Sequence, residues 1–243
     1  MLRADNNLIK TLKKQKREND SLLFLDNFKI IKDALNAGLK AKYIFLTREE
    51  DNIFGEIDCL IYKVDHSIIE QLSESKTPQG VVCIAEYTPH IVEKPNTNFL
   101  VLDRLQDPGN VGTLIRTACA CGFKYVFLLD SVKPTNAKLV RSTVGTIFQQ
   151  KVIPISSKNF IQKAKEWDLN LLVADMDGEN IFNFETNQQI GLIVGNEGQG
   201  VSDELVSICT KKVRIPMQEG VESLNAGVSG AIIMYQISKN KLL

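Results

Sequence analysis

The chain has 243 residues, 44% of them hydrophobic and 24% charged, which is ample apolar material for one large core or two modest ones and excludes a disordered chain. No run reaches the roughly 18 apolar residues of a membrane span, and the Met1–Asn6 start lacks the apolar segment of a signal peptide. Lysine plus arginine equals aspartate plus glutamate at 29 each, so net charge selects no partner. Five widely spaced cysteines (Cys59, Cys83, Cys119, Cys121, Cys209) indicate a reducing, cytoplasmic setting rather than a disulfide framework.

Charge distribution says more than the total. Between Met1 and Arg17 stand Arg3, Lys10, Lys13, Lys14, Lys16 and Arg17 against Asp5 alone, the pattern of an electrostatic arm or of a solvated helix face. Short β-rich runs follow at Leu22–Leu25, Tyr43–Leu46, Leu60–Val64 and Val81–Glu86, with a helix over Asp26–Ala37 that Gly38 ends. The stretch from Glu86 to Asn98 carries Pro89 and Pro95 without helical period and reads as a linker. It divides a small α/β domain, residues 1–90, from a larger one, residues 96–243.

In the larger domain, near-continuous apolar strands at Phe99–Leu102, Tyr125–Leu129, Val152–Ile155, Leu171–Ala174, Ile190–Val194 and Val213–Ile215 alternate with helical patterns at Val111–Cys121, Lys158–Trp167, Ser202–Cys209 and Leu224–Lys239. That alternation predicts an α/β fold with a mostly parallel sheet flanked by helices, and chemistry in loops at the strands' carboxyl ends. No metal is expected: His66 and His90 are too few for a histidine centre, and Cys119 and Cys121, two apart on a helix, do not share a face.

Three loops carry candidate chemistry. In Leu105–Arg116, Pro108-Gly109 makes the turn and Asn110 is read as the helix N-cap. Val111, Leu114, Ile115 and Ala118 face the sheet, which leaves Arg116 off the stripe, placed either to grip a phosphate or to reach solvent. The second loop, Gly195-Asn196-Glu197-Gly198-Gln199-Gly200, has three glycines that permit close approach of backbone to a ligand. Its G-x-x-G-x-G spacing is neither the dinucleotide fingerprint nor a P-loop. The third runs from Val213-Arg214-Ile215-Pro216-Met217 to Glu222-Ser223-Leu224-Asn225, with Ser223 read as the cap of the last helix. Gly227 and Gly230 within that helix call for close packing against another element.

Asp107–Arg116, Val194–Gly200 and Ile215-Pro216-Met217 with Glu222–Asn225 resemble, in order, the three motifs of the SpoU (TrmH-type) RNA ribose methyltransferases of the SPOUT class. Leu22–Gly38 and Thr77–Gly80 resemble the amino-terminal, ribosomal-protein-like RNA-binding domain of many members, with Asp26-Asn27 standing where glutamate-glycine is frequent. The resemblance implies a carboxyl-terminal trefoil knot, a homodimer paired through the last helix, and S-adenosyl-L-methionine as cofactor. It implies methyl transfer to a ribose 2′-hydroxyl of RNA, ribosomal RNA foremost. The alternatives are a transfer RNA substrate, or a catalytically silent RNA-binding or ribosome-assembly factor on the same fold. Carried over, Asn110, Arg116, Glu197, Ser223 and Asn225 are the catalytic group. Gly195, Asn196, Gly198, Gly200, Ile215, Met217, Leu224 and Asn225 surround the cofactor. Lys10, Lys13, Lys14, Arg17 and Arg116 are the expected RNA contacts, and neither metal nor membrane is involved.

Overall fold

Residues 2–18, 21–47 and 54–242 are described by a computed structural model. They form two compact units, Met1–Thr88 with Thr135–Phe148, and Pro89–Pro134 with Gln149–Leu243.

The first unit contains β1 (Leu2–Arg3), α1 (Asn6–Glu18), β2 (Leu22–Leu25), α2 (Phe28–Asn36), β3 (Ala41–Leu46), β4 (Leu60–Lys63), α3 (His66–Leu72) and β5 (Val81–Glu86). Its sheet has the order β1-β4-β3-β5-β2, with β5 antiparallel to both of its neighbours. The leading basic segment is not a free arm. It forms α1, whose Ile9 and Leu12 are buried in a cluster with Phe24, Phe45, Ile69 and Leu72. Asn27 caps α2, its side-chain oxygen accepting the Ile30 N–H at 3.1 Å. Asp26 beside it is buried and accepts hydrogen bonds from Ser73 Oγ at 2.6 Å and Arg141 Nη1 at 3.3 Å. Arg141 lies on α5 (Ala137–Ser142), a segment distant in sequence, and this charge-assisted contact ties it into the first unit.

The second unit carries β6 (Phe99–Asp103), α4 (Pro108–Ala120), β7 (Tyr125–Leu129), β8 (Lys151–Ile155), α6 (Ser157–Glu166), β9 (Leu171–Asn180), β10 (Gly191–Gly195), α7 (Asp203–Val206), β11 (Lys211–Arg214) and α8 (Ala226–Leu242). The sheet is fully parallel in the order β11-β9-β10-β6-β7-β8. Phe99, Phe127 and Phe160 pack in its core, the first two edge to face at 5.8 Å. The pairing of β11 with β9 jumps from Lys212 opposite Val173 to Val213 opposite Glu179, so residues 174–178 bulge out of β9. Gly178 fits there because a Cβ would lie 2.5 Å from the Val213 nitrogen.

The helix α8 packs on α4, and the two glycines explain how. A Cβ on Gly230 would lie 2.3 Å from Leu114 Cδ2, and one on Gly227 would crowd Asn110 and Thr113 at 3.4 Å. These glycines therefore face inward, and they leave no small-residue face for a partner. The exposed stripe of α8 is apolar and large instead, with Val228 and Tyr235 at its two ends, 47% and 51% exposed. Among the described residues no helix is long and apolar enough to cross a membrane.

Candidate active site

The carboxyl ends of β6, β9, β10 and β11 converge in the second unit, and one residue from each of the three loops meets there. The cap of α4 is Asp107, not Asn110: the Asp107 carboxylate accepts the Asn110 N–H at 2.8 Å. Asn110 thus sits in the first helical turn with its side chain free to reach outward. Likewise Asn225, not Ser223, precedes α8, and its Oδ1 accepts the N–H groups of Gly227 at 2.9 Å and Val228 at 3.3 Å. Both corrections have one cause. Each helix begins a residue or more away from where the apolar pattern places it, and the polar side chain nearest the true start takes the orphan amides.

Capping fixes the orientation of the Asn225 amide. Its Nδ2 donates to Asn110 Oδ1 at 2.9 Å, and Asn110 Nδ2 donates in turn to Glu197 Oε1 at 2.5 Å. The three residues form a directed chain from the amino end of α8 to a carboxylate. The positive helix terminus and the negative carboxylate at its two ends polarise every bond in the same sense.

Beside this chain lies a cavity of about 420 Å³. Of the residues expected around a cofactor, Gly195, Asn196, Gly200, Ile215, Met217 and Leu224 line it, as do Glu197 and Ser223 of the expected catalytic group. Gly198, Asn110 and Asn225 do not. The glycine loop is closed tightly on itself. The Gly200 N–H donates to the Asn196 carbonyl at 2.9 Å, and Asn196 Oδ1 accepts from the amides of Gly198 and Gln199. A Cβ on Gly195 would lie 2.4 Å from backbone atoms of Gly200 and Val201, and Gly200 has φ +66°. Gly198 has neither constraint, its nearest neighbour to a Cβ being Asn196 Oδ1 at 3.6 Å. The packing of the loop on itself therefore calls for glycine at Gly195 and Gly200 and makes no such demand at Gly198.

Arg116 is exposed on α4, and among the described residues it makes no hydrogen bond or ion pair. Six residues separate it from Asn110, about 9 Å along the helix axis, so the structure does not bring it into the chain of Asn110, Glu197 and Asn225. The expected RNA contacts of the first unit are all on α1. Lys10 and Arg17 are exposed, Lys13 donates to Gln71 at 3.3 Å, and Lys14 pairs with Glu18 at 3.9 Å. The Arg3 side chain lies outside the described residues. Lys16 is mostly buried, donating to the Leu72 carbonyl at 2.7 Å, and burial holds its pKa below the ordinary lysine value.

The sequence reading missed Asp103, Arg104, Asp175, Met176 and Arg214. The last three line the cavity, and Asp103 and Arg104 support its glycine loop. Asp103, Arg104 and Arg214 stand at or just beyond the carboxyl end of a strand, the signal that locates chemistry in parallel sheets, whereas Asp175 and Met176 lie in the bulge of β9. Among the described residues no cluster of histidine, cysteine, aspartate and glutamate is arranged to hold a metal ion.

The model of the SpoU rRNA methylase family matches residues 97–235. The chain is 28% identical over 242 residues, 96% of its length and 97% of the other, to the 23S rRNA (guanosine(2553)-2′-O)-methyltransferase RlmP of Bacillus subtilis. A putative TrmH family tRNA/rRNA methyltransferase of Staphylococcus aureus is 31% identical over 150 residues, 60% of each chain. Among solved structures, an AdoMet-bound rRNA methyltransferase from Sinorhizobium meliloti superimposes with a TM-score of 0.87 at 24% identity, over 100% of this chain and 98% of that one. The SpoU methyltransferase AviRb of Streptomyces viridochromogenes, in complex with AdoMet, gives 0.85 at 22% identity over 98% and 99%. Similarity of this extent, over the domain that holds all three loops, places the chain in the SpoU rRNA methylase family.

Proposed function

We propose that the protein transfers a methyl group from S-adenosylmethionine to a ribose 2′-hydroxyl of ribosomal RNA, and that it works in the cytoplasm as a homodimer. The observation that carries the reading is the chain Asn225–Asn110–Glu197, which joins all three loops beside one cavity. The ribosomal substrate rests on the 23S rRNA methyltransferase activity of the Bacillus subtilis relative, which this chain matches along nearly its whole length.

The cavity suits the cofactor. Its volume of about 420 Å³ lies in the range of small-molecule sites. Its wall combines backbone at Gly195 and Gly200 with apolar side chains of Val194, Ile215, Met217 and Leu224. When bound, the cofactor supplies an electrophilic methyl group on a sulfonium. Backbone groups of the glycine loop and of residues 215–224 would hold it, and Glu197 and Ser223 line the same space.

A ribose hydroxyl is a weak nucleophile and must lose its proton as the new bond forms. Asn110, itself held by Asn225, binds one carboxylate oxygen of Glu197, and the other oxygen would take the hydroxyl proton as the bond from oxygen to the methyl carbon forms and the methyl–sulfur bond breaks, releasing a neutral thioether. Ser223 and Asn225 orient the ribose. Arg116, unengaged among the described residues, grips the adjacent phosphate with a two-pronged contact and lowers the cost of the developing alkoxide. The Lys10, Lys13, Lys14 and Arg17 surface of the first unit adds phosphate contacts.

The dimer pairs through the apolar stripe of α8, Val228, Ala231, Ile232 and Tyr235. A trefoil knot is supported by two backbone approaches that admit no Cβ, Gly178 on Lys212–Val213 and Gly195 on Gly200–Val201, at the strands that a knot would thread. The test is a map of 2′-O-methyl groups in total RNA from cells with and without the gene, alongside methyl transfer by purified protein. Identical maps together with no transfer would refute the assignment.

A further inference from the structure

We propose that Arg104 is a positioning residue that holds the 195–202 loop in the shape that receives the cofactor. The inference rests on the reading of that loop as the cofactor site. Arg104 follows β6 and has φ +57°, a left-handed backbone that an arginine rarely adopts. Glycine or asparagine would take that conformation more readily, so the side chain must return something for its presence. What it returns is visible in its bonds. Nη1 donates to Gln199 Oε1 at 3.0 Å, and Nη2 to the Gly200 carbonyl at 3.3 Å. Nε donates to Asp103 Oδ2 at 3.3 Å.

The backbone of Arg104 is equally committed. Its N–H donates to the Leu129 carbonyl at 2.9 Å, and its carbonyl accepts from Asn196 Nδ2 at 3.1 Å. Asp103, wholly buried, accepts the Ser202 N–H at 2.8 Å through the oxygen that meets the guanidinium. Residues 103 and 104 thereby touch the loop at Asn196, Gln199, Gly200 and Ser202. All three guanidinium nitrogens are engaged inside the protein, which sets Arg104 apart from Arg116 as a candidate for phosphate.

The Asn110–Glu197 bond holds the far side of the same loop, so the short connection from β6 to α4 grips it twice. Without the Arg104 side chain, that bond, the Asp103–Ser202 contact and the backbone carbonyl of residue 104 on Asn196 remain, and nothing holds Gln199 or the Gly200 carbonyl from this side. The loop then samples forms in which Asn196, Gly200 and Gln199 no longer line the cavity. Cofactor affinity falls, while turnover at saturating cofactor changes little, because Arg104 touches no reacting group.

The test uses the full-length protein with Arg104→Gly and Arg104→Asn, both compatible with the left-handed backbone, and Arg104→Lys. Hydrogen exchange of the ligand-free protein reports the loop, calorimetric titration with S-adenosylmethionine reports affinity, and a thermal melt reports the fold. Loss of the two bonds to the loop should raise Kd at least about 10-fold and speed exchange at residues 198–201, with the rest of the sheet exchanging as in the wild type. Lysine, a single prong, should restore part of the affinity. Wild-type exchange and affinity within twofold in both the glycine and asparagine variants would overturn the proposal. So would a lowered melting temperature with affinity intact. If the wild-type protein bound no S-adenosylmethionine, the cofactor reading itself would fall, and unaltered loop exchange in the variants would separately refute the positioning role.

Discussion

Arg116→Ala separates chemistry from stability more sharply than any other substitution in this chain. The buried face of α4 is formed by Val111, Gly112, Leu114, Ile115 and Ala118, and Arg116 contributes nothing to it. Its side chain is exposed and, among the described residues, without a hydrogen-bond or ion-pair partner. Truncation therefore removes no packing, leaves no buried group unpaired, and exchanges one good helix former for a slightly better one. The unfolding free energy should move by less than about 0.5 kcal/mol. Affinity for S-adenosylmethionine should stay within twofold, since Arg116 does not line the cavity. If Arg116 holds the phosphate beside the target ribose, single-turnover methyl transfer should fall at least about 100-fold, some 2.7 kcal/mol of lost transition-state stabilisation. Arg116→Lys should recover little of it, because an ammonium cannot reproduce a planar fork. The measurement is rapid-quench transfer to RNA with calorimetry and chemical unfolding on the same three proteins. Near-normal transfer by a well-folded alanine variant would refute the reasoning and leave Arg116 an ordinary surface arginine.

Three further outcomes are expected. Gly195→Ala should weaken cofactor binding and lower the melting temperature, whereas Gly198→Ala should change neither, since only Gly195 has backbone where a Cβ must go; calorimetry with equal loss in both variants would contradict this. Burial pushes the Cys83 and Cys209 thiols up to about 12 and the Cys121 thiol up to about 11. Unfolded thiols ionise near 9.0 while these stay protonated in the fold, so the unfolded state loses protons first and stability should decline as pH rises above 9, as urea titrations at pH 8 and 10 would register. Tyr235→Glu, a charge on the exposed α8 stripe, should shift a dimeric mass to a monomeric one in sedimentation, and a wild-type monomer at micromolar concentration would remove the dimer altogether.

The second unit is largely legible because its strands are unbroken apolar runs. Phe99–Leu102 and Tyr125–Leu129 match the structure to within a residue, and the loop after the first of them together with the glycine loop after β10 marks the site. The helix starts were less so. Asn110 and Ser223 are plausible caps by type, yet Asp107 and Asn225 occupy the geometry, a choice made by where the backbone leaves the sheet. The run 175–180 of β9 is polar and offers no strand pattern; its pairing with Val213 and Arg214 is imposed by the neighbouring chain. Gly227 and Gly230 announced close packing but not its direction, since a glycine in a helix reads alike whether it faces its own protein or another copy. The basic run ending at Arg17 leaves an arm and a helix face both open, because Ile9 and Leu12 are too few among lysines to show a buried stripe without the sheet they pack against.

The passage of the chain between its two units has a consequence for the order in which the protein is made. The first unit is complete only when Thr135–Phe148 joins Met1–Thr88, so the acceptor at Asp26 waits for Arg141. Sixty residues of translation separate Thr88 from Phe148, roughly 3–12 s at about 5–20 residues per second. During that interval Asp26 has Ser73 Oγ and the N–H groups of Glu74 and Ser75 as donors but lacks the Arg141 guanidinium, and β6 and β7 emerge before the missing helix does. The amino-terminal unit is thus obliged to finish folding inside the synthesis of its neighbour, and a stop codon anywhere between residues 89 and 134 would release it without that guanidinium on its buried carboxylate.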